Sequence, residues 1–552
     1  MKLILLTFLI PFLSTFVLTQ IILTDAQNNN SGNIKVTTEV NLSQIPDSLD
    51  LIANISNLSV VEIEKEVTDD KKTNDSTYIV SINKENELPK INKKWYGLDI
   101  ISAAEVSSSN GSFFLRPINP PDVTLAVGNN HVAQMVHNSI QIWDKNGSTL
   151  AKKLLHDFFN ISKDHYITDP ILLYDTSDSR WFATIVDGGK EEITNGLSYF
   201  SCSPICQVKI AVSNSDDPTQ NWSIFTINST KPGNFPDLPK IAVSKNKLLL
   251  TTIEFPKNND SKTFPKTYLI DKTLLINNTA GISGTKPTFE PNFPIFPIIF
   301  SNPSDCISTI FLYKENITDV FSDVKKVKIT DYCNPADSGN YKSFDIPIPT
   351  LHSAPKFNQP LLNETNETKD NKKEITILSA IRNNNSVWIG LHTSCQPSAY
   401  SNNSCINILK FNKILGTGYE PERNNYTYDL TENTQFHIYN TDVFYPAIGI
   451  SNDEKLFFIS GFSNSTIFPS LMVSHLVAEN KTQDIVLILG SAINNSNSYG
   501  DYFGSAIDPV DGTVWLSGQY VDQSIPIPSH FPPENRQKVQ DKTWSTIITN
   551  VS

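Results

Sequence analysis

From Trp95 onward the chain alternates short apolar runs with compact polar knots. Residues 169–187, DPILLYDTSDSRWFATIVD, show the unit: Ile171–Tyr174 and Trp181–Val186 flank a knot of Asp, Thr, Ser and Arg. Runs of β-branched and aromatic residues around a turn that tolerates left-handed backbone predict a β-hairpin. The phrase recurs as PPDVTLAVGNNHVAQMV from Pro120, TDPILLYDTSDSRWFATIV from Thr168 and FPDLPKIAVSKNKLLLTTIEF from Phe235. It returns as FPIIFSNPSDCISTIFLY from Phe296 and EITILSAIRNNNSVWIGLHTSC from Glu374, then as FYPAIGISNDEKLFFISGFS from Phe444 and GDYFGSAIDPVDGTVWLSGQY from Gly500. Further strands follow several of these hairpins: SIQIWDKNGSTL, VKIAVSNSDDPTQNWSIFTI, TYLIDKTLLI and CINILKFNKI.

Two hairpins make a four-stranded antiparallel sheet with two apolar faces, and a unit of about 60 residues repeated seven times predicts an all-β, seven-bladed β-propeller. Stacking around an axis is what buries both faces of each blade. A β-sandwich followed by a second β domain is the alternative arrangement of the same strands. One helix is expected in LAKKLLHDFFNIS, where Leu150, Leu154, Leu155, Phe158 and Phe159 share a helical face. The tail DKTWSTIITNVS, set off by the Pro-rich QSIPIPSHFPPENRQ, carries a strand over Trp544–Thr549 suited to finishing the last sheet.

Ahead of this body, Leu3–Leu23 is almost uninterruptedly apolar after Lys2, and small and polar residues follow near Ala26. Residues 1–26 read as a secretory signal, or as an N-terminal anchor if uncleaved. Residues 27–94, rich in Asn, Lys, Glu and Ser, read as a flexible polar leader. The propeller is then expected over residues 95–552. Composition agrees: charged residues are 18%, and 33 Pro outnumber 22 Gly. The balance of 44 Lys+Arg against 57 Asp+Glu gives a formal charge of −13, which argues against nucleic acid as a partner.

Two features point to an extracellular or cell-surface location. The 22 Asn-x-Ser/Thr triplets exceed the roughly ten that chance would give and favour a glycoprotein. The six cysteines, Cys202, Cys206, Cys306, Cys333, Cys395 and Cys405, are even in number and lack zinc-site spacing and a partner His. They admit fifteen pairings, of which the sequence-local one closes three small loops.

Several of the phrases above, with AVSNSDDPTQNWSIFTI and FPDLPKIAVS, resemble a family of uncharacterised exported prokaryotic β-propeller proteins with sialidase-like repeats. The resemblance spans about Pro117 to Thr549 and implies the propeller fold and export, without a reaction. Ser213–Trp222, SNSDDPTQNW, is similar to the Asp-box hairpin of sialidase blades, with Pro218 in place of its Gly and one residue extra before Trp222. In that family the Asp-box staples a turn away from the catalytic centre.

Catalytic signatures are missing. A sialidase needs three converging arginines, whereas this chain holds only Arg116, Arg180, Arg382, Arg423 and Arg536, scattered in turns and loops. No G-x-S-x-G elbow, H-E-x-x-H or phosphate loop occurs. His137 and His392 read as satisfied strand residues. What repeats is an acid near the start of a unit: Asp122, Asp169, Asp237 and Asp501. If these carboxylates converge on the axis they form a ligand-binding ring suited to Ca²⁺ or a cationic ligand; if not, they cap their own turns. No other cofactor is expected. Nearby Tyr174, Phe235, Phe444, Tyr445, Tyr502 and Phe503 are candidates for stacking on sugars or for core packing.

The sequence therefore points to an exported binding or adhesion platform with an extracellular protein or glycan as partner. Membrane contact would run only through an uncleaved N-terminus. The alternatives are a carbohydrate-active hydrolase or lyase using the axial carboxylates, and a structural component of the cell envelope.

Overall fold

The computed structural model describes residues 33–45, 88–103, 105–109, 112–116, 120–194, 197–200, 202, 205–229, 231–256, 263–278, 282–283, 295–300, 304–314, 323–333, 341–360, 374–396, 403–415, 426–494, 499–525 and 543–552. The apolar segment Leu3–Leu23, the signal expected over residues 1–26, and Arg423 and Arg536 lie outside them. Among the described residues no helix is long and apolar enough to cross a membrane.

The body is nearly all strand, in antiparallel sheets of consecutive hairpins. Sheet 1 runs Thr124–Val127, His131–Val136, Ser139–Asp144 and Thr149–Leu154. Sheet 2 begins with His165–Asp175, and sheet 3, with three strands, begins with Phe235–Val243. Sheets 4 and 5 begin with Phe296–Phe300 and Ile377–Asn383, which also pair in parallel at Ile299–Ile381 and Phe300–Arg382. Sheet 6 begins with Asp442–Ile450 and sheet 7 with Gly504–Ile507. These seven first strands touch one another in cyclic order, and that of sheet 7 returns to that of sheet 1.

Sheet 7 is completed from both ends of the chain. Ser545–Val551 pairs with Val514–Tyr520, and Ile91–Asp99 adds outside it. A buried polar knot ties this sheet to sheet 1: the Gln134 amide donates to the Ser517 and Thr546 hydroxyls (2.7 and 3.0 Å) and accepts from the Leu98 N–H (2.8 Å). Burying such groups is tolerable because each is paired.

Three expectations change. Within the segment read as a polar leader, Asn33–Asn41 forms a strand on the outer edge of sheet 2, paired with Asn221–Asn228, and Leu42 after it is fully buried. The stretch LAKKLLHDFFNIS is mostly not helical: Thr149–Leu154 is the outer strand of sheet 1, and only Leu155–Phe158 makes a helical turn. An unpaired sheet edge captured the segment despite its helical periodicity, leaving Leu150 46% exposed. Similarly, Lys272–Ile276 of TYLIDKTLLI is a short helix rather than strand.

Disulfides join Cys202 to Cys206, Cys306 to Cys333 and Cys395 to Cys405, the sequence-local pairing. In the Asp-box-like turn, Asp217 accepts from the Thr219 N–H (2.9 Å) and hydroxyl (2.7 Å), and the buried Trp222 indole donates to the Pro218 carbonyl (2.9 Å). That is a staple within one hairpin.

Candidate functional site

The sheets present their first strands to the ring with a shared irregularity. In sheets 2, 3 and 6 the ladder skips just ahead of Ile171, Lys240 and Ala447, leaving the pairs Asp169-Pro170, Leu238-Pro239 and Tyr445-Pro446 bulged. The first residue of each pair has left-handed backbone, with φ of 55°, 48° and 53°, and Asp122 in sheet 1 matches them at 51°. Non-glycine residues with a bulky side chain occupy this region at a cost. Proline as the second residue of each bulged pair lacks the N–H that the ladder leaves unused there. The bulge turns the side chain out of the strand's alternation.

The four aspartates expected to act together thus fall into two classes. Asp122 and Asp169 occupy the left-handed position itself, where sheets 3 and 6 carry Leu238 and Tyr445. Asp237 and Asp501 stand one residue ahead of Leu238 and Tyr502. They nevertheless share one electrostatic environment, since Asp122 feels the charges of Asp501 and Asp169, and Asp237 those of Asp169 and Asp501. Asp122 and Asp169 are buried, Asp237 is half-buried and Asp501 is exposed, so the cluster opens to solvent on one side.

Hydrogen bonding distinguishes them further. Asp169 accepts from the Leu238 N–H of the next sheet (3.0 Å) and from the Thr168 hydroxyl (3.2 Å), and it is hydrogen-bonded to the Asp237 carboxyl. Burial, then the Asp169 charge, pushes Asp237 well above the usual carboxylate range. Asp122 Oδ2 stands 3.3 Å from His137 Nδ1, while His137 Nε2 stands 2.7 Å from the Ile167 carbonyl. A carbonyl only accepts, so Nε2 carries hydrogen, and one further proton is shared along the Nδ1–Oδ2 line. Burial raises Asp122 to about 7 against the pull of His137, with Asp501 adding to the rise. For His137 burial acts downward, but the Asp122 hydrogen bond and charge outweigh it and raise the imidazole. The second oxygen, Asp122 Oδ1, is buried with no hydrogen-bond partner.

Lys240 and Tyr166, which sequence reasoning did not assign, complete the cluster together with the aromatic candidates Tyr502 and Tyr445. Lys240 Nζ stands 3.2 Å from the centroid of the Tyr502 ring, and burial lowers it to about 8 against the four carboxylates. Tyr502 reaches from sheet 7 to donate to the Pro170 carbonyl of sheet 2 (3.0 Å), so its side chain lies across the leading end of the ring. Tyr166, half-buried, is pushed up to about 12 chiefly by burial, with Asp169, Asp122 and Asp237 adding. The Tyr445 hydroxyl is buried without a hydrogen-bond partner and feels Asp501 and Asp122. A lysine in FPDLPKIAV, where the other strands carry Thr124, Ile171, Ala447 or Gly504, was the signal for Lys240. His137 is hydrogen-bonded on both ring nitrogens, but it lies in the turn between His131–Val136 and Ser139–Asp144 rather than in a strand, and it sits on the Asp122 carboxyl.

Other candidates lie elsewhere. Tyr174 donates to Asp216 (2.6 Å) at the far end of its strand. Phe444 stacks on Phe357 (centroids 4.3 Å apart) in the core, and Phe235 and Phe503 are buried. Arg180 caps the carbonyls of Asp178 and Ser179, and Arg382 pairs with Asp331 (3.5 Å) between sheets 4 and 5. The side chain of Arg116, like Arg423 and Arg536, lies outside the described residues. The His392 ring packs on Tyr445 (centroids 5.3 Å apart).

A cavity of about 100 Å³ lies at the opposite, trailing end of the first strands, lined by residues of all seven of them or next to them, among them Val127, Leu173, Val243, Phe300, Ile448 and Ala506. Its lining is mostly apolar and its hydroxyls are engaged: Ser505 donates to the Ile448 carbonyl and Ser379 accepts from the Ile448 N–H. The convergent polar groups are at the leading end, which is therefore the stronger site. Among the described residues no group of three or more His, Cys, Asp or Glu is placed to hold a metal ion. The cluster carries its own cation in Lys240, which alters the picture of a bare oxygen ring for Ca²⁺.

No family model matches the chain, and no curated protein matches it. Among solved structures it is similar to a protein of unknown function from Dyadobacter fermentans, at 10% identity over 70% of this chain and 96% of that one, with a TM-score of 0.37. It is also similar to a PL25 ulvan lyase bound to -[GlcA(1-4)Rha3S]-, at 10% identity over 72% and 89%, with a TM-score of 0.38. Trypanosoma rangeli sialidase matches at 10% identity over 77% of this chain and 57% of the sialidase, with a TM-score of 0.33.

Proposed function

We propose that the chain is a seven-bladed β-propeller, exported and glycosylated, that serves as a binding platform, and that its ligand site is the axial cluster of Asp122, Asp169, Asp237 and Asp501 with Lys240, Tyr445 and Tyr502. The cyclic contacts of the seven first strands support ring closure. The three disulfides support an oxidising compartment. Exposed sequon asparagines such as Asn160, Asn228 and Asn480 are open to glycans.

One observation carries the site: Asp122 Oδ1 and Tyr445 Oη are buried, lack hydrogen-bond partners, and belong to a cluster that opens to solvent at Asp501. Buried polar atoms are almost always paired, so an orphan pair at an open cluster marks where ligand or solvent hydroxyls complete the network. A glycan supplies such hydroxyls. The second reading, a carbohydrate-active hydrolase or lyase, is favoured by a carboxyl held near pKa 7 beside others, the environment of a general acid.

Thermal melting of the purified full chain against oligosaccharides, CaCl₂ and EDTA at pH 5 and pH 7 tests the reading. An upward shift with oligosaccharides that Asp122→Ala abolishes is expected. A shift with CaCl₂ alone would make the cluster a cation site, and a flat panel would remove it as a ligand site. Release of reducing or unsaturated ends from a bound oligosaccharide would establish the enzymatic reading.

A further inference from the structure

We infer that the trailing end of the ring is a second binding site, for the short alkyl tail of a small amphiphile, and that it is separate from the acidic cluster at the leading end. The first strands themselves make the space. At their trailing ends Leu173, Val243, Phe300 and Ile507, from sheets 2, 3, 4 and 7, are left half-buried where they meet the cavity, and the small residues Ser379, Ser505 and Ala506 keep it open. Partly exposed apolar side chains that converge from four sheets on one concavity mark a site for an apolar guest.

Water is a poor occupant of this wall. A water held in such a space needs about two to four polar partners, whereas the hydroxyls and the carboxylate here are already engaged. Ser505 donates to the Ile448 carbonyl (2.8 Å), Ser379 accepts from the Ile448 N–H (3.2 Å), Ser244 accepts from the Lys247 N–H (3.1 Å) and Asp175 accepts from Lys272 Nζ (2.6 Å). The exposed Thr176 stands at the rim, where the polar head of an amphiphile stays in solvent. Size sets the length of the tail. A cavity of about 150 Å³ admits benzene, with six carbons, so this one of about 100 Å³ admits about four. Longer tails extend past the rim and add no burial.

Saturation-transfer NMR titration of the full chain with primary alcohols from methanol to 1-octanol tests this. Affinity is expected to rise about 4-fold with each added methylene, as far as about four carbons, and then to level off. Val243→Phe, which fills the space, should abolish binding, and Val243→Ala should move the plateau about one or two carbons further. Asp122→Ala should leave the whole series unchanged, so failure of this site and failure of the leading-end site are read separately. Circular dichroism confirms that each variant is folded. An affinity that climbs steadily to 1-octanol and ignores both Val243 variants is adsorption to the surface and would overturn the inference, as would the binding of no alcohol at all. Self-association of the chain that Val243→Phe removes would also overturn it, by making a second copy the occupant.

Discussion

Two buried acidic centres of this protein have opposite characters. Between sheets 4 and 5, Asp331 is 1% exposed and every oxygen is occupied. Its Oδ2 accepts from the Tyr426 and Tyr428 hydroxyls (2.8 and 2.9 Å), and its Oδ1 accepts from Ser308 and faces Arg382. The Arg382 guanidinium also lies over the Phe300 and Tyr428 rings. At the leading end of the ring, Asp122 is equally buried but has one oxygen orphaned, a left-handed backbone and like charges for neighbours. Complete pairing marks a structural joint, whereas incomplete pairing at an open cluster marks a place kept for something else.

Substitution should separate them. Asp331→Ala leaves Arg382 buried without its counterion and is expected to cost about 3–5 kcal/mol in chemical denaturation. Gln134→Leu, which strips the knot between sheets 1 and 7, should cost about 1–3 kcal/mol. A cost below about 0.5 kcal/mol for either would show that the joint is not a structural one.

The pH response sharpens the contrast. Asp122 is raised from 3.8 to about 7 and His137 above 6.5, so the folded state holds a proton that the unfolded chain releases. The stability this contributes is complete below about pH 4 and is lost as pH rises through about 7. Lys240, lowered from 10.5 to about 8, acts in a different window: its contribution is present above 10.5 and lost as pH falls through about 8. The Tm should therefore fall between pH 5 and 7.5, and Asp122→Asn should flatten that fall. An unchanged slope in the variant would mean that Asp237, also raised, holds the proton instead.

The smallest effect on folding is expected from Tyr445→Phe. Its hydroxyl has no partner to lose, so stability should change by less than about 0.5 kcal/mol while glycan affinity falls about 10-fold. A large loss of stability would reveal a structural partner for that hydroxyl.

Much of the strand framework was legible in the sequence because hairpins are local. Asn452-Asp453 and Asp511-Gly512 announce turns by chemistry that needs no distant partner, and the loops closed by Cys202–Cys206 and Cys395–Cys405 are short. Leu150 misled because its helical spacing competed with an open sheet edge, a factor invisible to periodicity. The acidic repeats were visible as letters, but not their two structural classes, which depend on where each ladder slips by a residue.

The sequence by itself determined the all-β character, the hairpin phrases and the strand that the C-terminus lends to the last sheet, since alternation, turn chemistry and hydrophobicity act over a few residues. The tertiary structure alone decided that Ile91–Asp99 covers that strand, that Lys240 sits on the Tyr502 ring, and that Asp122 keeps one oxygen unsatisfied. Those facts depend on positions hundreds of residues apart being brought together, where burial and neighbouring charge set what each group can do.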